Sequence, residues 1–335
     1  MPTPRPFLAL PELTARLLEA SAEAEESLLG FWVHHRLEVA DVAAPIDRAV
    51  LGGVSADRVA WAFLAGYQAA LCALIPSHDA DQLAAFCVTE LGGAHPRAVL
   101  SELRPSEGGG YALSGHKRWS STVPAVEVLY VVAREGLDVA GHPHLRVAKL
   151  DAQREGVRFE AMPPAPFVPE VPHGEVFLTD VAVSPSELLP GDGYSAYVKA
   201  FRNAEDLYVN AALLGYLLGA ARRFAAPSSM VERLFSAIVS ARSLALEDAR
   251  AAATHLALAG LLATVQLASA DVLAHLATLS SDEARAEHAR LSRDVALLGV
   301  AAKAREQRRK NAWAALATDS PYAGPDDLPG GDLEP

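Results

Sequence analysis

Two long stretches of helical periodicity enclose one segment of short β-branched runs, and this order of textures most limits the folds open to the chain. From Pro11 to about Leu83, apolar residues recur at three- and four-residue spacing: Leu13, Leu17 and Leu18, then Leu28, Leu29 and Phe31, then Val59, Trp61, Ala62, Phe63 and Tyr67. Ser55 precedes the last of these helices, Val59 to Leu74, where its hydroxyl is expected to cap free amides, and Pro76 follows its end. Around Phe86 the pattern changes. Tyr111 to Leu113, Val126 to Val132, Leu145 to Leu150, Val157 to Phe159 and Val176 to Leu178 stand as strand-like runs between Gly, Pro and Ser. After Gly191 and Gly193 helical spacing returns and continues to about Leu316. The expected class is α+β: an N-terminal helical domain over 1–84, a middle β-barrel or sandwich domain over 85–192, a C-terminal helical bundle over 193–318, and a disordered tail over 319–335.

Composition narrows the function. With 335 residues, 51% apolar and 21% charged, the chain has the make-up of a soluble globular protein. A formal charge of −12 argues against nucleic acid as a partner, because phosphate binding needs a Lys/Arg surface. Cys72 and Cys87 lie in apolar runs without ligand spacing, so neither a disulfide framework nor a metal site is expected, and a reducing cytoplasm fits. His34 with His35, and His142 with His144, make poor metal pairs without carboxylates at ligand spacing. No basic region leads into an apolar run near Met1, so no signal peptide is expected. Leu256 to Leu276 approaches the length of a membrane span, but Gln266, Asp271 and His275 favour a buried bundle helix over a span. Arg305, Arg308, Arg309 and Lys310 suggest a solvated helix face, with phosphate or CoA contact as the minority reading.

Three separated segments resemble acyl-CoA dehydrogenases. The first, Phe86-Cys87-Val88-Thr89-Glu90-Leu91-Gly92-Gly93, is similar to the start of that family's β-domain. The second runs from Tyr111 through Leu113, Gly115 and Lys117 to Trp119, Ser120 and Ser121, and resembles a hairpin of the form Y-x-L-x-G-x-K-x-W. The third, His173 to Tyr194, resembles the domain's last strand and exit loop. Together the match spans roughly residues 55–220. It implies that Val88 and Thr89 face the pyrimidine side of a flavin, FAD, and that Trp119 flanks its ring while Ser121 bonds near the reactive nitrogen. Alternation in a strand places Trp119 and Ser121 on one face, where both meet a flat ring. Taken singly, each is more often structural: Thr89 a strand residue, Trp119 a core aromatic and Ser121 a turn former. Their joint placement favours the flavin.

The resemblance also implies a carboxylate base. Most of the family carries it late, in a segment close to Tyr-Glu-Gly-Thr, and no such segment stands here. The minority position, on the first helix after the β-domain about ten residues before a Gly, falls on Glu205, ahead of Gly215. Glu205 and Asp206 could instead be first-turn acids stabilising a helix N-terminus. An Arg commonly follows the Glu in the family, but Asp206 follows it here. Other departures are Ala94-His95-Pro96-Arg97 after the glycine turn, and no clear counterpart of the family's pyrophosphate-binding Arg-x-x-Phe-Gly near Phe224. The function implied is α,β-dehydrogenation of an acyl thioester on CoA or a carrier protein, by a homodimer or tetramer with an unspecified electron acceptor. A non-catalytic binding or assembly subunit and a flavin monooxygenase on the same scaffold are the alternatives.

Overall fold

The computed structural model describes residues 6–93, 95–137 and 141–317; the expected disordered tail at 319–335 and Ala94 lie outside them. Among the described residues four helices come first, α1 (Leu10–Glu19), α2 (Leu28–Glu38), α3 (Pro45–Val54) and α4 (Val59–Leu74). Seven strands follow: β1 (Ala84–Cys87), β2 (Glu102–Pro105), β3 (Tyr111–Ser121), β4 (Val128–Leu137), β5 (Pro143–Asp151), β6 (Val157–Ala161) and β7 (His173–Val183). A π-helical turn at Gly193–Val198 then leads into α5 (Lys199–Arg223), α6 (Ser228–Leu244), α7 (Ala252–Ala277), α8 (Asp282–Asp294) and α9 (Ala302–Leu316). The α+β architecture expected from the sequence is the one observed.

All seven strands form one sheet in the order β1-β4-β2-β3-β7-β6, with β5 on the other edge of β4. Strand alternation divides its side chains between two cores. Ala84, Phe86, Val128, Tyr130, Val132, Leu145 and Val147 face the helices, whereas Ala85, Cys87, Leu129, Val131, Ala133, Ala148 and Leu150 join the sheet's own core. The free edge of β1 is covered by α4, which removes it as a site for pairing with another chain. Gln68 exchanges two hydrogen bonds with the Ala84 backbone, at 2.9 and 3.1 Å, and the Phe86 amide donates to Tyr67 Oη at 2.9 Å. These bonds set where β1 ends and so where Val88 and Thr89 emerge.

Helices from before and after the sheet share one apolar core, centred on α3, α4 and α5. Glycines allow their close approach. A Cβ added at Gly53 would lie 1.8 Å from the Ala212 carbonyl oxygen, and one at Gly215 would lie 2.2 Å from that of Val50. Two expectations need correction. Ser55 does not cap α4, whose N-cap is Arg58; its hydroxyl donates instead to Glu38. The Leu256 to Leu276 helix is not buried all round: only 28% of its most apolar window is buried, and Leu267 is 70% exposed. Leu258, Leu261, Val265, Val272 and Leu276 form its packed stripe. By length and composition α7 alone among the described helices is apolar enough to cross a membrane, yet this stripe packs it into the bundle.

Gly53→Ala is expected to lower stability by about 1–3 kcal/mol or more, since backbone on backbone cannot yield as a side chain would. Urea denaturation checks this, and an unchanged midpoint would contradict the close helix approach.

Candidate active site

The site begins with a buried charge pair. Lys117, on β3, is fully buried and its Nζ donates to Glu90 Oε1 at 2.6 Å and to the Val88 carbonyl at 3.4 Å. Glu90 also accepts from the Leu100 amide at 2.8 Å and from the Ser101 amide and hydroxyl at 3.0 and 2.8 Å. Burial alone would push the Glu90 carboxyl up, but Lys117 and these amides outweigh it and hold the carboxyl below its ordinary range. Beside the pair, the Arg118 amide donates to the Thr89 carbonyl at 2.8 Å, so the end of β1 and the β3 hairpin are locked together.

Beyond Lys117 the β3–β7 ladder slips, between Lys117 and Ser120, and Trp119 takes φ +58°. A left-handed backbone costs such a residue roughly 1–2 kcal/mol. Simple alternation therefore does not place Trp119 and Ser121; the bulge does. It leaves the indole 53% exposed, and both residues line the same two cavities.

The larger cavity has a volume of about 600 Å³, and Thr89, Trp119, Ser121 and Glu205 line it together with Phe63 of α4. Pro163–Val168 and Leu297–Leu298 with Val300 and Ala301 supply apolar walls. The first of these walls is fixed where the Val168 amide donates to Asp294 Oδ1 at 2.8 Å, Asp294 being held in turn by Arg293. The smaller cavity, about 150 Å³, is lined by Val88, Thr89, Trp119, Ser121 and Glu205, along with Tyr67 and Phe201. The structure thus brings together all five residues singled out in the sequence.

Glu205 and Asp206 are the two carboxylates lining the larger cavity, and their surroundings differ. Asp206 is buried and receives Arg305 Nε at 2.8 Å and Nη2 at 2.7 Å, along with Arg308. Glu205 is lifted to about 7, by burial first and the charge of Asp206 second, with Arg305, Arg202 and Arg308 opposing. Neither acid stands in the first turn of α5, which starts at Lys199, so they are not helix-end acids. Nor do Arg305 and Arg308 form a solvated face: both point inward to Asp206, while Arg309 pairs with Glu306 on its own helix.

His173, at the start of β7, is a cavity residue to which the sequence assigned no role. Its Nε2 is 3.3 Å from Ser121 Oγ, its ring meets Trp119 edge-on at 6.3 Å, and burial lowers its pKa, so it stays neutral at pH 7. Its signal was only its position at the head of the third resembling segment. An isoalloxazine needs a flat apolar wall and a few hydrogen-bonding groups at its polar edge. The exposed Trp119 ring and the Thr89 and Ser121 hydroxyls fit that need, and the larger cavity falls within the roughly 300–1,000 Å³ of small-molecule and cofactor sites.

Residues 85–181 match the family model described as acyl-CoA dehydrogenase, middle domain. No curated protein matches the chain by sequence. Among solved structures, butyryl-CoA dehydrogenase from Megasphaera elsdenii is 14% identical, with 91% of this chain and 93% of that one covered and a TM-score of 0.63. TdsC from Paenibacillus sp. A11-2, in complex with FMN and indole, is 17% identical over 84% of each chain, with a TM-score of 0.65. FkbI, described for biosynthesis of a methoxymalonyl extender unit, is 20% identical over 92% of this chain and 99% of that one, with a TM-score of 0.61. At these identities the likeness is one of fold, and the chain has the acyl-CoA dehydrogenase fold.

Lys117→Met is expected to cost ~3–5 kcal/mol, because it strands Glu90 as a buried charge. Adding Glu90→Gln should restore part of that loss. Thermal melts of the two variants check the pair; equal stability of Lys117→Met and the unaltered protein would contradict it.

Proposed function

We propose that the protein is a flavin-dependent oxidoreductase that dehydrogenates an acyl thioester between its α and β carbons. The observation that carries this reading is the division of labour between two adjacent carboxylates. Asp206 is occupied by two arginines, whereas Glu205 lines both cavities with its proton affinity raised to about 7. A carboxylate so placed can take a proton near neutral pH, where an ordinary glutamate is too weak a base. The match to the acyl-CoA dehydrogenase middle domain is in keeping with this reaction, and the FMN complex among its structural neighbours supports a flavin as its cofactor.

In this reading the acyl group enters the larger cavity along the apolar Pro163–Val168 wall, between Glu205 and the Trp119 face. Glu205 takes the α proton, and the electron pair of that C–H bond becomes the new C=C bond as hydride leaves the β carbon. A bound flavin supplies the hydride acceptor. Trp119, Thr89 and Val88 would hold such a flavin, and Ser121, oriented by His173, would offer it a hydrogen bond. Phe63 and the Leu297–Leu298 wall give the cavity an apolar lining, which would strengthen each of these polar contacts once substrate displaces water.

Anaerobic addition of acyl thioesters should bleach the flavin-loaded protein, with a rate that rises with pH through about 7 because Glu205 acts in its ionised form. Glu205→Gln should retain flavin and lose bleaching by at least ~100-fold, the scale of a general base. Bleaching at the unaltered rate would remove Glu205 from this role.

A further inference from the structure

α9 reaches across the bundle to the residue next to Glu205. Asp206 takes both Nε and Nη2 of Arg305, at 2.8 and 2.7 Å, and a further bond from Arg308, which also reaches Asn203. The third nitrogen of Arg305, Nη1, donates to the Leu298 carbonyl at 2.7 Å. Leu298 belongs to the wall that closes the larger cavity, and that wall continues through Val300 and Ala301 into α9, with Ala301 left-handed at φ +60°. One guanidinium therefore ties together the anion beside Glu205 and the backbone of the wall.

We propose that Arg305 and Arg308 are positioning residues for Glu205: through Asp206 they partly offset the negative charge adjoining it, and through Leu298 Arg305 holds the cavity wall at that carboxylate. The proposal rests on the dehydrogenase reading only in calling Glu205 the base. The charged and titratable groups around Glu205 are Arg202 and Asp206 on α5, Arg305 and Arg308 on α9, Tyr67 on α4 and His173 on β7. Asp206 is the anion in this set, and it follows Glu205 directly in the helix. Without the two guanidinium groups, ionising Glu205 would put a second negative charge beside a first that is itself buried. With them, Glu205 has its protonation midpoint near neutrality and the wall stays closed. The device cannot be exchanged for simple packing, because its effect runs through charge.

The test needs neither flavin nor substrate. With glutamate carboxyls labelled with carbon-13, the titration of Glu205 is followed by NMR and its resonance assigned by its loss in Glu205→Gln. The unaltered protein should show a midpoint of about 7. Arg305→Met with Arg308→Met should raise it by ~1 pH unit or more, as a like charge does when its counter-ions go. Adding Asp206→Asn to that pair should bring the midpoint back down. If the double variant does not fold, the near-isosteric Asp206→Asn alone still decides, since it leaves both guanidinium groups unopposed and should lower the midpoint. A midpoint that ignores the arginines, or fails to respond to Asp206→Asn, overturns the proposal. Bleaching by thioesters is a separate measurement: its absence together with the predicted titration shifts would sink the dehydrogenase reading and leave the charge coupling standing.

Discussion

The Lys117–Glu90 pair is the constraint on which the site depends. A charge buried as deeply as Lys117 requires a partner, and Glu90 meets it with a carboxylate whose other lone pairs are filled by Leu100 and Ser101. Replacing such a pair with apolar residues of matching shape often costs little stability, so its value lies in geometry. It fixes the turn after β1 against the β3 hairpin, with Val88 and Thr89 on one side and Trp119 on the other. The bulge starts directly after Lys117 and includes Trp119, beside the buried pair, and a strained φ persists only where its surroundings determine it.

The helical body applies the same device repeatedly. Asp47 is met by Arg242, Glu287 by Arg223 and Arg290, Asp294 by Arg293, and Asp206 by Arg305 and Arg308. Each carboxylate is buried and accepts at least one charge-assisted hydrogen bond from an arginine, a directed geometry that apolar packing lacks. Two of these clusters bear on the cavity directly. Asp294 fixes the Pro163–Val168 wall through the Val168 amide, and Asp206 fixes the Leu297–Ala301 wall through Arg305. The cavity is thus shaped by helices that follow the sheet, although its indole and the Ser121 hydroxyl come from β3 and the Thr89 hydroxyl from the turn after β1.

Much of the fold was legible because period-2 and period-3.6 patterns mark surfaces with one buried face, as in β7 and α1. The pattern fails for α3, where Ile46, Asp47 and every residue from Ala49 to Val54 are buried, so no stripe distinguishes core from solvent. It misleads for α7, whose run of Ala and Leu suggests burial on all sides while only one stripe is covered. Of the site, Val88, Thr89, Trp119, Ser121 and Glu205 were legible through motif spacing, and the structure gathers them at one cavity. Arg305 and Arg308 were not, because a cluster of basic residues on a helix looks the same whether it faces water or a buried aspartate a hundred or so residues earlier. His173 escaped because its meaning comes from Ser121 and Trp119 across the β3–β7 ladder, not from its neighbours in sequence.

A flavin ring held in this cavity against Trp119 would be visible at once in an absorbance spectrum. The protein is mixed with FAD, and separately with FMN, then desalted beside Trp119→Ala treated in the same way. Flavin bands are expected to be retained at near one equivalent by the unaltered chain with either or both cofactors, and to be strongly reduced in the variant. A chain that stays colourless with both, or equal retention by Trp119→Ala, would contradict this placement.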